Sequence, residues 1–295
     1  MRSRSPQPAP LPAPGVHFAS EYHRRIERLG ARLSAIRERR EGAGSAALAG
    51  AGQEFVGYRP YRPGEDLRML DWSLFARLDR PFVRVTRREA FERWAVVVDG
   101  SASMGVGPPG KLQWAAEVGA ALGVLALRAG ATVEMTLTGP GMATFRARRH
   151  ADFPGMLAFF EAHTAASTQG LAAWVEGCKL PPDIGRVFLI GDFVDFEPDC
   201  VRTLFRRGRE LSLVQVLAPE ELTPTRSGPV EWADPEGAQR VALVVDRGTR
   251  ADYERALHGQ LEALGAFALR HGLAYRCWSS ARPFEDAVHD LVVPR

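Results

Sequence analysis

The chain has 295 residues, 45% hydrophobic and 25% charged, with a formal net charge of +3, the balance of an ordinary globular protein of one large or two small domains. The positive excess lies at the start, where residues 18–41 hold seven Arg against four Glu, so it does not describe a nucleic-acid-binding domain. Cys178, Cys200 and Cys277 fit no metal or redox spacing, and no apolar run is long enough to span a bilayer. A cytoplasmic protein with no transmembrane segment and no nucleic-acid partner is the expectation.

Residues 1–17 are proline-rich and predict a disordered tail. Residues 18–52 then read as a basic amphipathic helix and a Gly/Ala linker. Phe18, Tyr22, Ile26, Leu29, Leu33 and Ile36 recur at spacings of 3 and 4, one face of a helix whose other face carries the arginines. The apolar stripe is expected to dock on the chain's own domain, leaving the charges solvated.

Residues 53–90 are dense in Arg, Asp and aromatics. Pro63-Gly64 suits a type II turn, because Pro presets φ and Gly accepts positive φ. Glu65 and Asp66 then suit the first turn of a short helix. Arg59, Asp66, Arg68, Asp71, Trp72 and Arg77 are expected to form a buried structural clamp, since no base is poised beside a nucleophile there. Residues 82–86 alternate as a strand.

Residues 91–295 read as an α/β domain. Trp94, Ala95, Val96, Val97 and Val98 form a short β-branched run, the mark of a strand buried on both faces. Asp99-Gly100-Ser101-Ala102-Ser103 follows, so one carboxylate and two hydroxyls stand at the strand's carboxyl end. Capping of the next helix is one use for them; holding a hard, oxygen-seeking cation such as Mg²⁺ is the other.

Further on, a helix is predicted over 111–128, with strands 132–137 and 142–146 paired across Gly139-Pro140-Gly141. Helices are predicted over 153–163 and 171–177. A second buried strand, 187–190, ends in Gly191-Asp192. Residues 211–217, 241–245, 252–271 and 274–278 continue as strand, strand, helix and strand, read as further units of one parallel sheet covered on both faces.

Asp99, Ser101, Ser103, Thr168 and Asp192 have the order and spacing of a metal-ion-dependent adhesion site, so this part resembles a von Willebrand factor A domain. Thr164 and Ser167 are close rivals for the Thr168 position. From Gln53 onward the chain resembles the bacterial domain-of-unknown-function-58 family. The resemblance rests on Glu54-Phe55, on the run from Arg59 to Asp66, on Arg68, Asp71-Trp72 and Ala76-Arg77, and on Asp99 to Met104. It implies a von Willebrand A-like, Rossmann-like sheet with an N-terminal extension. It also implies Mg²⁺ (or Mn²⁺) held by those five residues, in a non-enzymatic, chaperone-like protein-interaction module. The implied partner is a MoxR-type AAA+ ATPase or its client, offering an acidic side chain to the metal in the assembly or maturation of protein complexes. Many relatives carry N-terminal transmembrane helices, so this chain resembles the soluble branch.

The alternative is a P-loop-like nucleotide-binding enzyme using Lys111 and Asp192, because Gly105 to Lys111 matches most of a phosphate loop. Pro108 and Pro109 lack amide donors, and Leu112 stands where Ser or Thr would bind Mg²⁺. On that basis Lys111 is expected to be dispensable.

Overall fold

A computed structural model describes residues 15–41, 53–61, 71–88, 93–139, 142–178, 180–194, 196–206, 209–237 and 240–293. They divide into two units, Met1–Ile36 with Glu92–Arg295, and Arg37–Phe91. In chain order the elements begin with α1 (Tyr22–Glu41), β1 (Gln53–Pro60), α2 (Trp72–Leu78), β2 (Phe82–Arg88), β3 (Arg93–Val98), α3 (Lys111–Arg128) and β4 (Thr132–Leu137). They continue with β5 (Ala143–Ala147), α4 (Phe153–Glu161), α5 (Leu171–Gly177), β6 (Ile184–Gly191), β7 (Glu210–Leu217) and α6 (Pro219–Leu222). The last are β8 (Gly228–Ala233), β9 (Arg240–Val245), α7 (Arg247–His271), β10 (Ala274–Ser279) and α8 (Phe284–Val292).

In the larger unit, six strands form one sheet in the order β10-β7-β6-β3-β4-β5. Every pairing is parallel except that of the edge strand β5 with β4. Side chains alternate across a strand, and β3 shows the consequence. Val96 and Val98 join a core with α1, α3, α4 and α8, while Ala95 and Val97 join the opposite core with α5 and α7. The unit is thus Rossmann-like, a mostly parallel sheet with helices on both faces.

Helix α3 lies against the sheet, with Gly123 at the closest approach. A Cβ there would stand 2.1 Å from Met135 Cε and 3.1 Å from Met156 Sδ. On its other side, Phe18 just ahead of α1 and Tyr22, Ile26, Leu29 and Leu33 within it enter the same core, as their spacing predicts, and the Ile36 side chain lies outside the described residues. Arg25 clasps Glu285 of α8 with two bonds of 2.6 and 2.7 Å and stacks over Phe284, while Arg24, Arg28 and Arg32 are exposed.

The expectation that 241–245 belongs to the parallel sheet is wrong. That segment is β9, paired antiparallel with β8 in a separate two-stranded sheet. Its apolar run is not a buried strand: Val241 and Val244 are exposed and only Val245 is buried. The match of β4 with β5 does form, Met135 opposite Phe145.

The smaller unit is an antiparallel pair, β1 with β2, bulged between Phe55 and Gly57, together with α2. Asp71 is the N-cap of α2 rather than a residue inside a helix, its Oδ1 accepting the Leu74 amide at 3.0 Å. Its other oxygen accepts the Tyr58 hydroxyl at 2.9 Å. Trp72 packs edge-on to Phe75, and both Trp72 and Arg77 are exposed. Asp66, Arg68 and the Pro63-Gly64 turn lie outside the described residues, as do the 42–52 linker, the Arg59 side chain and the tail to residue 14. Of the residues expected to form the clamp, Asp71 ties β1 to α2. Among the described residues, no helix is long and apolar enough to cross a membrane.

Candidate functional site

Strands β3 and β6 are parallel neighbours, Val98 opposite Ile190, so the residues after them emerge side by side. The chain passes from β3 to β4 on one side and later returns to β6 on the other. This reversal opens a crevice at the carboxyl ends of the strands, where open α/β sheets bind ligands. Asp99 and Asp192 stand at that crevice, and the Asp99 amide donates to the Ile190 carbonyl at 2.8 Å.

Asp99 does not cap a helix. Its Oδ1 accepts the Ser101 amide at 2.9 Å and the Thr138 hydroxyl at 3.2 Å. Thr138 Oγ1 also accepts the Gly100 amide at 3.0 Å. These bonds hold the loop so that Ser101 Oγ and Ser103 Oγ face each other at 3.0 Å. The loop is stitched to the segment before α5: Ser101 bridges Ser167, and the Ala102 amide donates to the Ser167 carbonyl at 2.7 Å. Of the rival hydroxyls, Ser167 Oγ is engaged with the backbone of Gln169, and Thr168 rather than Thr164 or Ser167 is among the residues lining the cleft. Asp99, Ser101, Ser103, Thr168 and Asp192 thus border one cleft of about 210 Å³, with Phe193, Val194, Phe196 and Glu236 also on its walls.

The two glycines beside the carboxylates leave room for them. A Cβ on Gly191 would lie 2.8 Å from Asp99 Cβ and 2.7 Å from Leu171 Cδ1, and one on Gly170 would lie 3.3 Å from Asp99 Oδ1. Phe193, next to Asp192, has φ of 55°, a left-handed conformation that a side chain such as Phe rarely takes. Gln260 donates to its carbonyl at 2.9 Å, and Gln215 donates to the Asp192 carbonyl at 2.7 Å while accepting from the Tyr275 hydroxyl.

Lys111, expected to be dispensable, lies at the heart of this arrangement and is fully buried. Its Nζ donates to Asp192 Oδ2 at 2.8 Å and to Glu221 Oε1 at 2.7 Å. Burial works against its charge, but Asp192 and Glu221 outweigh burial and hold its pKa above the ordinary lysine value. A phosphate loop would aim this lysine at a nucleotide; here two carboxylates hold it. Burial, and then the neighbouring Asp192, push the Asp99 carboxyl up to about 6, against the bonds from Ser101 and Thr138.

Thr138, Glu221 and Glu236 are residues that sequence reasoning missed, and Lys111, named there only for the nucleotide alternative, was not expected to pair with Asp192 and Glu221. Lys111 was visible as the first residue of an apolar helix, and Thr138 as the residue just after β4. Glu221 and Glu236 had no local signal.

Chemically the cleft offers three carboxylates, those of Asp99, Asp192 and Glu236, and three hydroxyls, oxygen donors of the kind Mg²⁺ takes. Among the described residues no three His, Cys, Asp or Glu side chains converge closely enough to hold an ion, so a cation here would depend on the hydroxyls and on water. Asp192 has Lys111 on one oxygen and the Val194 amide at 3.2 Å on the other, which suits a ligand acting through water. The donor set fits a divalent cation on those terms.

An uncharacterized protein of Mycobacterium tuberculosis is 28% identical over 223 residues, covering 71% of this chain and 69% of its own length. One of Mycobacterium bovis matches to the same extent. Among solved structures, the conserved hypothetical protein BatB from Bacteroides thetaiotaomicron is similar with a TM-score of 0.41 and 15% identity, over 67% of this chain and 95% of that one. An aerotolerance-related membrane protein from Bacteroides fragilis has a TM-score of 0.40 and 12% identity, over 68% and 98%. The family model described as Protein of unknown function DUF58 matches residues 57–263, and the chain belongs to that family.

Proposed function

We propose that the larger unit is a von Willebrand A-like domain whose cleft is a metal-ion-dependent adhesion site, and that the chain is a non-enzymatic, Mg²⁺-dependent protein-interaction module. The observation that carries this reading is the burial of Asp99 beside Asp192 in a cleft lined by Ser101, Ser103 and Thr168. Asp99, Asp192, Glu221 and Glu236 bring four negative charges and Lys111 one positive, so a divalent cation would offset most of the excess. Bound there, Mg²⁺ would supply a position for one more oxygen ligand. Asp99, Ser101 and Ser103 would hold the ion, with Thr168 and Asp192 acting directly or through water.

The partner in this reading is a protein with an acidic side chain at its contact point, for which the family resemblance suggests a MoxR-type AAA+ ATPase or its client. A cytoplasmic location belongs to the same proposal. The rival nucleotide enzyme is disfavoured because Lys111 is committed to Asp192 and Glu221. Among the described residues, no His or Cys lines the cleft.

Calorimetric titration with Mg²⁺ or Mn²⁺ is expected to show one site that Asp99→Ala abolishes. Surface plasmon resonance against the ATPase is expected to show binding in Mg²⁺ that is lost in EDTA and in Ser101→Ala/Ser103→Ala. Metal binding unchanged in Asp99→Ala, or partner binding indifferent to EDTA, would refute the reading.

A further inference from the structure

The β8–β9 hairpin is set apart from the six-stranded sheet, and among its described strand residues only Val245 is buried. Its connecting segment nevertheless reaches the cleft. Glu236, 133 positions from Ser103, places Oε1 3.4 Å from the Ser103 amide, which donates to it, and borders the cleft with Asp99, Ser101 and Thr168. Asp234 Oδ1 accepts the Glu236 amide at 2.9 Å and shapes the turn that presents this side chain.

A third carboxylate adds negative charge to a cleft that already holds Asp99 and Asp192, where Lys111 is committed to Asp192 and Glu221, so a cation among the three would offset their repulsion. The five residues of the proposed site leave an octahedral ion one ligand short. The geometry points to Glu236 as the chain's own occupant of that place, an internal carboxylate standing where a partner's would bind. This rests on the cleft being a cation site. It adds that the site is self-liganded when the partner is absent, so a partner must displace the hairpin. The single long bond to Ser103 and the small buried area of the hairpin make that displacement inexpensive.

The test uses the full chain with Mn²⁺ as the probe, comparing wild type, Glu236→Gln and Asp99→Ala. Glu236 is exposed, so its substitution leaves the fold intact. Water-proton relaxation of the Mn²⁺ complex is expected to report about one more bound water in Glu236→Gln than in wild type. The Kd for Mn²⁺ is expected to rise roughly tenfold in that variant. Hydrogen exchange across residues 228–245 is expected to slow on Mn²⁺ addition in wild type alone. If Asp99→Ala abolishes Mn²⁺ binding while Glu236→Gln matches wild type in Kd, relaxation and exchange, the self-ligand is overturned and the cation site stands. If wild type binds no Mn²⁺, both readings fall together.

Discussion

Asp99→Asn tests the electrostatics of the cleft, because it removes one charge while changing little shape. Asp99 is 4% exposed, and its Oδ1 accepts the Ser101 amide and the Thr138 hydroxyl. An amide oxygen can keep both bonds. The folded carboxyl is pushed up to about 6 from its ordinary 3.8, by burial first and Asp192 second. A carboxyl with a raised folded pKa binds its proton more tightly folded than unfolded, so stability is full below about pH 4 and falls as pH rises through 6. The difference between those values corresponds to ~3 kcal/mol lost above pH 6. Asn never ionises. With chelator at pH 8, Asp99→Asn is therefore expected to be more stable than wild type by ~3 kcal/mol, raising Tm by roughly 6–12 °C for a domain of this size. At pH 4 the gain is expected to vanish. Mg²⁺ is expected to raise the Tm of wild type and leave the variant unmoved, since only a ligand that binds the folded state stabilises it. Thermal unfolding followed by circular dichroism at the two pH values reads all three effects. A variant less stable than wild type at pH 8, or a gain equal at both pH values, would refute the reasoning.

Lys111→Met keeps the length of the buried stem but leaves Asp192 and Glu221 without their cation; a loss of roughly 3–5 kcal/mol in urea unfolding is expected, and a change under 1 kcal/mol would show that the bridge is not structural. Gly191→Ala puts a methyl between Leu171 and Asp99; overpacking is expected to cost about 1–3 kcal/mol and to weaken Mn²⁺ binding in calorimetry, whereas an unperturbed titration would show that the carboxylate has room to move.

The strand and helix periods legible in the chain were those with a local cause. The unbroken apolar run from Trp94 to Val98 encodes burial on both faces, and β3 delivers Val96 and Val98 to one core and Ala95 and Val97 to the other. The stripe from Phe18 to Leu33 encodes a helix with one apolar face, and that face is buried. Carboxylates ending two such strands were visible too, and the strand order brings Asp99 and Asp192 together. An apolar run alone does not name its neighbours, which is why β9 was misassigned to the main sheet.

Chemistry depending on long separations was decided only by the tertiary structure. Lys111 meets Asp192 across 81 positions and Glu221 across 110, and Glu236 reaches Ser103 across 133. Sequence determined that carboxylate and hydroxyl side chains would stand at the ends of buried strands, because local periodicity sets which residues face a core and where a strand stops. Tertiary structure decided that a buried lysine divides the charge of the site and that a distant hairpin closes on it. Those contacts follow from strand order and loop paths, which are set by packing across the whole sheet and leave no periodic trace in the chain.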